Sequence, residues 1–484
     1  MKRFLVLVMA LFILLSPVKS SANALNPEGS QNQDESSDLT ENTEPSTAST
    51  LELDAEGAVL IEQETGKVLY EKNKDEKLYP ASTTKILTAL LAIENGNLDE
   101  IVTVGKEVNL TPRDSSLACI DVGEQITLKD LLVGLMVSSG NDAALAIGAH
   151  IGRIVAGNPD MPYNEALDKF YELMNKRAAE LGATNSHFAN PHGYHDQDHY
   201  TTAYDLALIA REAMKHEVFR EIVQITYREY PDWNEVDKKD PTKKATRFWV
   251  NKNKLLDKNS KEYYPYATGI KTGYTSHSGN CLVSSASKDG MNLIAVVLKS
   301  TKNGQWTDSK NLLEYGFEHY TIYEPLKQDQ VIASTLVRNH ASDDSGALDI
   351  LAVQGVRDVI AKEDVARIQQ NIEWFYTDED NQLRLEAPVY KGQVVGKLTY
   401  TLDGRIIWQS DLIAARSIEK KKTIVDMITP DPENNSATNS EWYFNPWIIV
   451  VALSLLFMFI LIVMIFSSIR RRRRRRKYII RHYR

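Results

Sequence analysis

The sequence predicts an α+β protein: an antiparallel sheet packed with helices, followed by a small all-β domain and a C-terminal transmembrane helix. Three observations predict it. Apolar residues recur at helical spacing between positions 86 and 216, and the period then shifts to short strands between 268 and 298. A strand-rich stretch follows from 323 to 420. From Trp447 to Ile469 no charged residue occurs over 23 positions, about 35 Å of helix, enough to cross a bilayer. At 484 residues with 43% hydrophobic content, the chain has room for two or three domains.

Residues 1–24 read as a secretory signal: Lys2 and Arg3 precede an apolar run, and Ala22-Asn23-Ala24 supplies a small-x-small cleavage site. Residues 25–50 are polar with almost nothing to bury, a disordered linker. The domain at 51–322 opens with a hairpin, Ala58–Ile61 against Lys67–Tyr70 around Glu64-Thr65-Gly66. A helix follows through Ile86, Leu87, Leu90 and Ile93, led in by Pro80 and Ala81. Thr127 is the expected N-cap of a second helix, which breaks at Ser138-Ser139-Gly140-Asn141-Asp142 before a third resumes over 143–151. Further helices are expected over 164–181 and 202–216. Three strands, 268–271, 281–286 and 293–298, form an antiparallel meander, and a helix over 308–315 closes the domain. In the all-β domain at 323–420 the clearest unit is a hairpin turned by Asp403-Gly404. Residues 421–445 are a linker, 446–469 the spanning helix and 470–484 a basic cytoplasmic tail.

Charge is unevenly placed. The tail holds ten Lys/Arg and no acid, so the seven arginines Arg470–Arg476 read as a stop-transfer sequence held at the anionic inner leaflet. Outside the two termini, 43 basic face 65 acidic residues, which excludes nucleic-acid binding through a general basic field. Cys119 and Cys281 supply no disulfide framework and are read as two buried thiols, with one bridge between them as the alternative.

Ser-x-x-Lys occurs four times, at Ser16/Lys19, Ser82/Lys85, Ser285/Lys288 and Ser417/Lys420. The first lies in the signal, and the last in a charged run. The third ends a strand whose alternation sends the two side chains to opposite faces. Only Ser82/Lys85 begins a helix, where one turn stacks the two side chains on one face. A serine hydroxyl needs a base, and a lysine becomes one when burial or a second cation lowers its pKa. Ser139-Gly140-Asn141 sits in a tight break between buried helices, where side chains can point into a cleft. Lys271-Thr272-Gly273 ends a strand, its glycine letting a substrate backbone lie close.

Ser-x-x-Lys, Ser-x-Asn and Lys-Thr-Gly in this order resemble the signature of penicillin-binding proteins and serine β-lactamases. The wider text, Pro80–Lys85, Ser139–Ala144, Asn190-Pro191-His192-Gly193, Thr201–Ala207 and Gly269–Thr275, resembles the low-molecular-mass D-alanyl-D-alanine carboxypeptidases. Residues 386–393 resemble that family's C-terminal accessory domain. The resemblance implies that Ser82 attacks the terminal D-Ala-D-Ala bond of peptidoglycan stem peptides while Lys85 takes its proton. Lys271, with Thr272 and Gly273 in the same motif, keeps Lys85 neutral and attracts the substrate carboxylate. Ser139 passes a proton to the leaving D-alanine, and Asn141 binds substrate or Lys85. The backbone N–H groups of Ser82 and Tyr274 form the oxyanion hole. It further implies no metal or organic cofactor, and β-lactams as covalent inhibitors; attachment to the membrane is expected from the C-terminal helix, which lies outside the resemblance. One departure stands out: an arginine is expected just before Trp306, and this chain has Gln305, with Lys299 and Lys302 nearby.

Alternatives share parts of this pattern. His187, His192, His195 and His199 suggest a zinc peptidase, yet no His-Glu-x-x-His occurs and the segment reads as a loop. Glu172 and Asn175 superficially resemble the deacylating element of a β-lactamase, one residue short in spacing. D,D-endopeptidase action on cross-links would use the same residues. A non-catalytic muropeptide binder would not need an activated serine.

Overall fold

The computed structural model describes residues 51–233, 242, 244, 246–422, 453–467 and 470; the predicted signal and the two linkers lie outside them, apart from residues 421 and 422. The opening hairpin forms as expected, β1 (Gly57–Glu62) against β2 (Val68–Lys72). A 3-10 turn, Ala81–Thr84, then runs into helix α1 (Lys85–Asn95), in which every residue from Lys85 to Ala92 is buried. After the short pair β3 (Ile101–Thr103) and β4 (Gln125–Thr127) comes α2 (Leu128–Val137). Its N-cap is the predicted one: Asp130 N donates to Thr127 Oγ1 at 3.0 Å.

Helix α3 (Asn141–Ala156) begins two residues earlier than the apolar period suggested: Asn141 and Asp142 are buried polar residues whose side chains bond Lys85 and the N–H groups of Ala118 and Ile120. Helix α4 (Tyr163–Glu180) lies on α3, and the approach is close enough that glycine is required. A Cβ on Gly152 would stand 1.9 Å from Ala166 O. Gly152→Ala should therefore lower unfolding stability by about 2–3 kcal/mol, measured by denaturant titration. Helix α5 (Ala203–Ala213) stops short of the expected end, and a separate α6 (Glu217–Val223) follows. Residues 231–246, polar and without a clear period in the sequence, are flanked by a hairpin that sequence reading missed, β5 (Tyr227–Tyr230) and β6 (Arg247–Val250).

The predicted meander is present and longer than expected: β7 (Ala267–Thr275), β8 (Gly279–Lys288) and β9 (Met291–Ser300). Strand β1 joins it, Val59 opposite Val296, so the sheet order is β2-β1-β9-β8-β7 and β7 is left as a free edge. Strand β1 is buried along its whole length. Val59 and Ile61 face the core that contains α1 and α5, whereas Leu60 and Leu293 meet Gly316 of α7 (Gly304–His319) on the other side.

The accessory domain is all-β. β10 (Tyr320–Leu326) pairs with β13 (Val356–Ala361), while β11 (Val331–Leu336), β12 (Ala347–Ala352), β14 (Ile368–Trp374), β15 (Val394–Leu402) and β16 (Arg405–Ala414) form one sheet. Its core contains Ile350, Val395, Leu398 and Leu412. The predicted hairpin is β15–β16, and Asp403 and Gly404 both adopt positive φ, as a two-residue turn of this twist demands.

The expected transmembrane helix is not shown. Residues 453–467 are helical and exposed, but 447–452 and 468–469 lie outside the described residues. Among the described residues no helix is long and apolar enough to cross a membrane. The cysteine expectation is half corrected: neither cysteine forms a disulfide and Cys281 is buried, but Cys119 is exposed at a positive φ of 61°.

Candidate active site

The turn that carries Ser82 is held from three sides. Ala81 sits at φ 50°, a left-handed conformation that a residue with a Cβ adopts only when its surroundings require it. Thr83 Oγ1 donates to Pro80 O at 2.7 Å, and Thr84 Oγ1 donates to Ala81 O at 2.8 Å. His199 backs this up. Its Nδ1 accepts from Ala189 N at 3.1 Å, so its Nε2 carries the proton and donates to Thr84 Oγ1 at 2.8 Å. Burial holds this imidazole neutral, its pKa down at about 3. Gly193 presses on the same turn, where a Cβ would stand 1.7 Å from Ala81 O.

Lys85 is fully buried beneath the serine. Its Nζ donates to Asn141 Oδ1 at 2.6 Å and to His192 O at 2.8 Å, and lies 3.1 Å from Ser82 Oγ. A neutral amine has two N–H bonds and one lone pair. The two oxygens take both N–H bonds, which leaves the lone pair for the Ser82 hydroxyl. Desolvation and the cations Lys271 and Lys252 push the Lys85 pKa well down, against a smaller upward pull from Asp142. Asp142 itself is occupied, accepting from Ala118 N at 2.8 Å and Ile120 N at 3.0 Å. Asn141 thus bonds Lys85 in this structure, one of the two partners expected for it.

Ser82, Ser139, Asn141, Thr272, Gly273 and Tyr274 line one cleft of about 590 Å³. Ser139 reaches it from the α2–α3 break, at φ 64°. The position of Lys271-Thr272-Gly273 needs correction: it lies inside β7 and does not end it. The reading of Gly273 changes too. A Cβ there would meet Pro80 O at 2.9 Å and Ser82 N at 3.1 Å, so the glycine makes room for the serine turn. Lys271 is buried behind the cleft, its pKa pushed down to about 7 by desolvation and Lys252. Its Nζ donates to Thr272 O at 3.1 Å, which places that carbonyl on the free side of β7. Strand alternation puts the N–H of Tyr274 on the same free edge.

Residues 43–302 match the family described as D-alanyl-D-alanine carboxypeptidase, and residues 317–420 match the C-terminal domain of penicillin-binding protein 5. The chain belongs to the D-alanyl-D-alanine carboxypeptidase family. It is 34% identical to the D-alanyl-D-alanine carboxypeptidase DacF of Bacillus subtilis over 377 residues, 76% of this chain and 86% of that relative. It is 32% identical to DacC of Escherichia coli over 378 residues, 76% and 85% of the two chains. The solved structure of penicillin-binding protein 5 from Haemophilus influenzae superposes with a TM-score of 0.57 at 29% identity, covering 77% of this chain and all of that one. As a member of this family the chain is a serine-type hydrolase with a penicillin-binding-protein catalytic domain and an all-β domain after it.

In this carboxypeptidase a lysine of the cleft is among the residues that escaped sequence reading. Lys252 follows the unpredicted β5–β6 hairpin, lines the cleft and donates to Ser116 Oγ at 2.6 Å. Partial burial lowers its pKa, and no carboxylate pairs with it among the described residues. Its only sequence signal was a lysine a few residues beyond the end of a polar insertion, too weak to single it out. Gln305 does line the cleft, donating from Nε2 to Asn280 Oδ1 at 3.2 Å and Lys302 O at 3.1 Å. Lys299 is not an anchor for substrate, since it pairs with Glu56 at 2.6 Å. Among the described residues the histidine segment brings no three ligating atoms together. His192 and His199 are buried, and His195 stacks on His277. Among the described residues the only His/acid cluster of ligating geometry is Glu94, Glu212 and His216, outside the cleft, and Arg177 lies within 3.5 Å of both glutamates.

Proposed function

We propose that the chain is a membrane-anchored D-alanyl-D-alanine carboxypeptidase that removes the terminal D-alanine from peptidoglycan stem pentapeptides through an acyl-enzyme on Ser82. The observation that carries the reading is the three-fold environment of Lys85 Nζ: two acceptor oxygens and the Ser82 hydroxyl around an amine that burial keeps neutral. Ser82 Oγ attacks the carbonyl carbon of the penultimate D-alanine and its proton passes to Lys85 Nζ. The developing oxyanion is met by the N–H groups of Ser82 and Tyr274, the latter on the free edge of β7. As the C–N bond breaks, Ser139 relays a proton to the departing amine. Water then cleaves the acyl–Ser82 ester, with Lys85 again taking the proton. β-Lactams present the same carbonyl beside a carboxylate and would acylate Ser82.

The substrate's terminal carboxylate falls to Lys271, Thr272 and Lys252, and Lys252 supplies the second cation that Gln305 does not. Lys252→Ala should raise KM for D-Ala-D-Ala peptides about ten-fold, the worth of one charge-assisted contact, with a smaller change in kcat. Adding Gln305→Arg to that variant should recover most of the loss. An unchanged KM in Lys252→Ala would remove Lys252 from the site.

Anchoring by residues 446–469, with the catalytic domain outside the membrane and the tail in the cytoplasm, is supported by the uncharged run and the arginines after it. Deleting residues 446–484 should move the protein from the membrane to the soluble fraction. The function itself is tested by incubating the full chain with pentapeptide muropeptides and following free D-alanine, beside fluorescent penicillin labelling. Labelling without D-alanine release would overturn the carboxypeptidase reading, and cleavage of cross-linked dimers without it would favour an endopeptidase.

A further inference from the structure

The cleft has a feature that the hydrolytic mechanism does not use. His195, from the loop after Gly193, and His277, from the β7–β8 turn, stack face to face with ring centroids 3.7 Å apart and planes within 5°. Both rings line the cleft. Tyr79 meets His195 edge-on at 4.7 Å. The Nδ1 of His195 is buried with no hydrogen-bond partner among the described residues. His277 Nδ1 has only Ser276 Oγ, at 3.3 Å.

The direction of the substrate follows from the site, and this step rests on the proposed carboxypeptidase reading. With the scissile carbonyl at Ser82 N and Tyr274 N, the leaving residue's carboxylate lies toward Lys271 and Thr272. The acyl arm therefore runs the other way along the free edge of β7, past Thr275 and Ser276 toward His277. Three residues of strand span about 10 Å, so a long side chain on the next residue of the arm reaches the stack.

Charge decides what that side chain carries. Lys252 lines the cleft and Lys271 lies behind it. Among the described residues Asp114 is the only acidic one lining it, and its Oδ1 accepts from Tyr194 OH at 3.1 Å. Facing the stack are Tyr79, Asp196 and the buried His199 from the first side, and Ser276 from the β7–β8 turn. No ion pair engages either ring among the described residues. A positive field with unspent imidazole nitrogens favours an anion.

We propose that the His195–His277 stack is a subsite for the acyl arm of the substrate, receiving a side-chain carboxylate on the residue third from the peptide's C-terminus. Burial and His277 lower the His195 pKa, with Asp196 pulling the other way, and an arriving anion favours the protonated form of that ring. Binding of the carboxylate consequently strengthens as pH falls.

The test uses the full chain in detergent and three peptides ending in D-Ala-D-Ala. Their third residue from the C-terminus carries a side chain ending in carboxylate, carboxamide or ammonium. Each peptide competes with fluorescent penicillin for Ser82, which reads occupancy whether or not hydrolysis follows. The carboxylate peptide should compete about ten-fold better than the carboxamide, and the ratio should be larger at pH 6 than at pH 8. His195→Gln and His277→Gln should each bring it to within about two-fold of unity, whereas a purely structural role would weaken both peptides alike and leave the ratio intact. Equal competition in the unmodified chain, a ratio that survives both substitutions, or preference for the ammonium peptide would overturn the proposal. D-alanine release measured in parallel reports separately on the carboxypeptidase reading.

Discussion

Lys85→Ala should lower the rate of Ser82 acylation by about 10²–10⁴-fold, the usual worth of a positioned general base, as measured by the rate of penicillin labelling. The loss should far exceed any change in folding, because the removed group is the one whose lone pair meets Ser82 Oγ at 3.1 Å. Lys85→Arg should be as inactive, since a guanidinium stays protonated and cannot accept. The pH profile carries the same information. Acylation needs Lys85 neutral, so kcat/KM rises as pH passes upward through its lowered pKa. Carboxylate attraction needs Lys271 charged, so the profile falls as pH rises above about 7, the value to which burial and Lys252 bring that lysine. Lys271→Arg keeps the cation at every accessible pH and should remove the alkaline limb. An alkaline limb that persists in Lys271→Arg would assign it to another group.

Gly193→Ala should be nearly as damaging, although residue 193 contributes no side chain. The residue sits at φ 81°, which costs an alanine about 1–2 kcal/mol, and its Cβ would overlap Ala81 O at 1.7 Å. The turn holding Ser82 must then move, and His192 O, which accepts from Lys85, is the preceding residue's carbonyl. Displacements on the order of 1 Å at a nucleophile cost about 10²-fold in rate. Gly157→Ala is the control. It also has positive φ, 64°, but nothing lies within 4 Å of its Cβ position, so it should cost about 1–2 kcal/mol and leave labelling intact. Equal penicillin labelling in the two variants would show that the Gly193 contact does not hold the serine turn.

Much of the fold was legible because it rests on local patterns. Thr127 before an apolar helical run, Asp403-Gly404 between alternating strands and the change of period near 268 each state a backbone preference within a few residues. Lys271-Thr272-Gly273 was misplaced at a strand end because glycine weakens the strand pattern, whereas β8 pairs with the motif and carries the strand on to Thr275. The pairing of β1 with β9 joins residues more than two hundred positions apart, and no local pattern encodes it. Lys252 was missed for a related reason: its importance comes from the hairpin that aims it into the cleft.

By itself the sequence determined which residues are able to react. Ser82 and Lys85 are one helical turn apart, and Ser139, Asn141 and Lys271 follow in an order that sets this chain among the D-alanyl-D-alanine carboxypeptidases. Only the tertiary structure decided that the Lys85 amine meets Ser82 with its pKa pushed well down. That property belongs to no residue alone: it comes from complete burial, from two oxygens contributed by Asn141 and His192, and from cations on β7 and beyond β6. Desolvation and Coulomb interactions act through space, so the pKa of a lysine is set by whatever the fold brings around it.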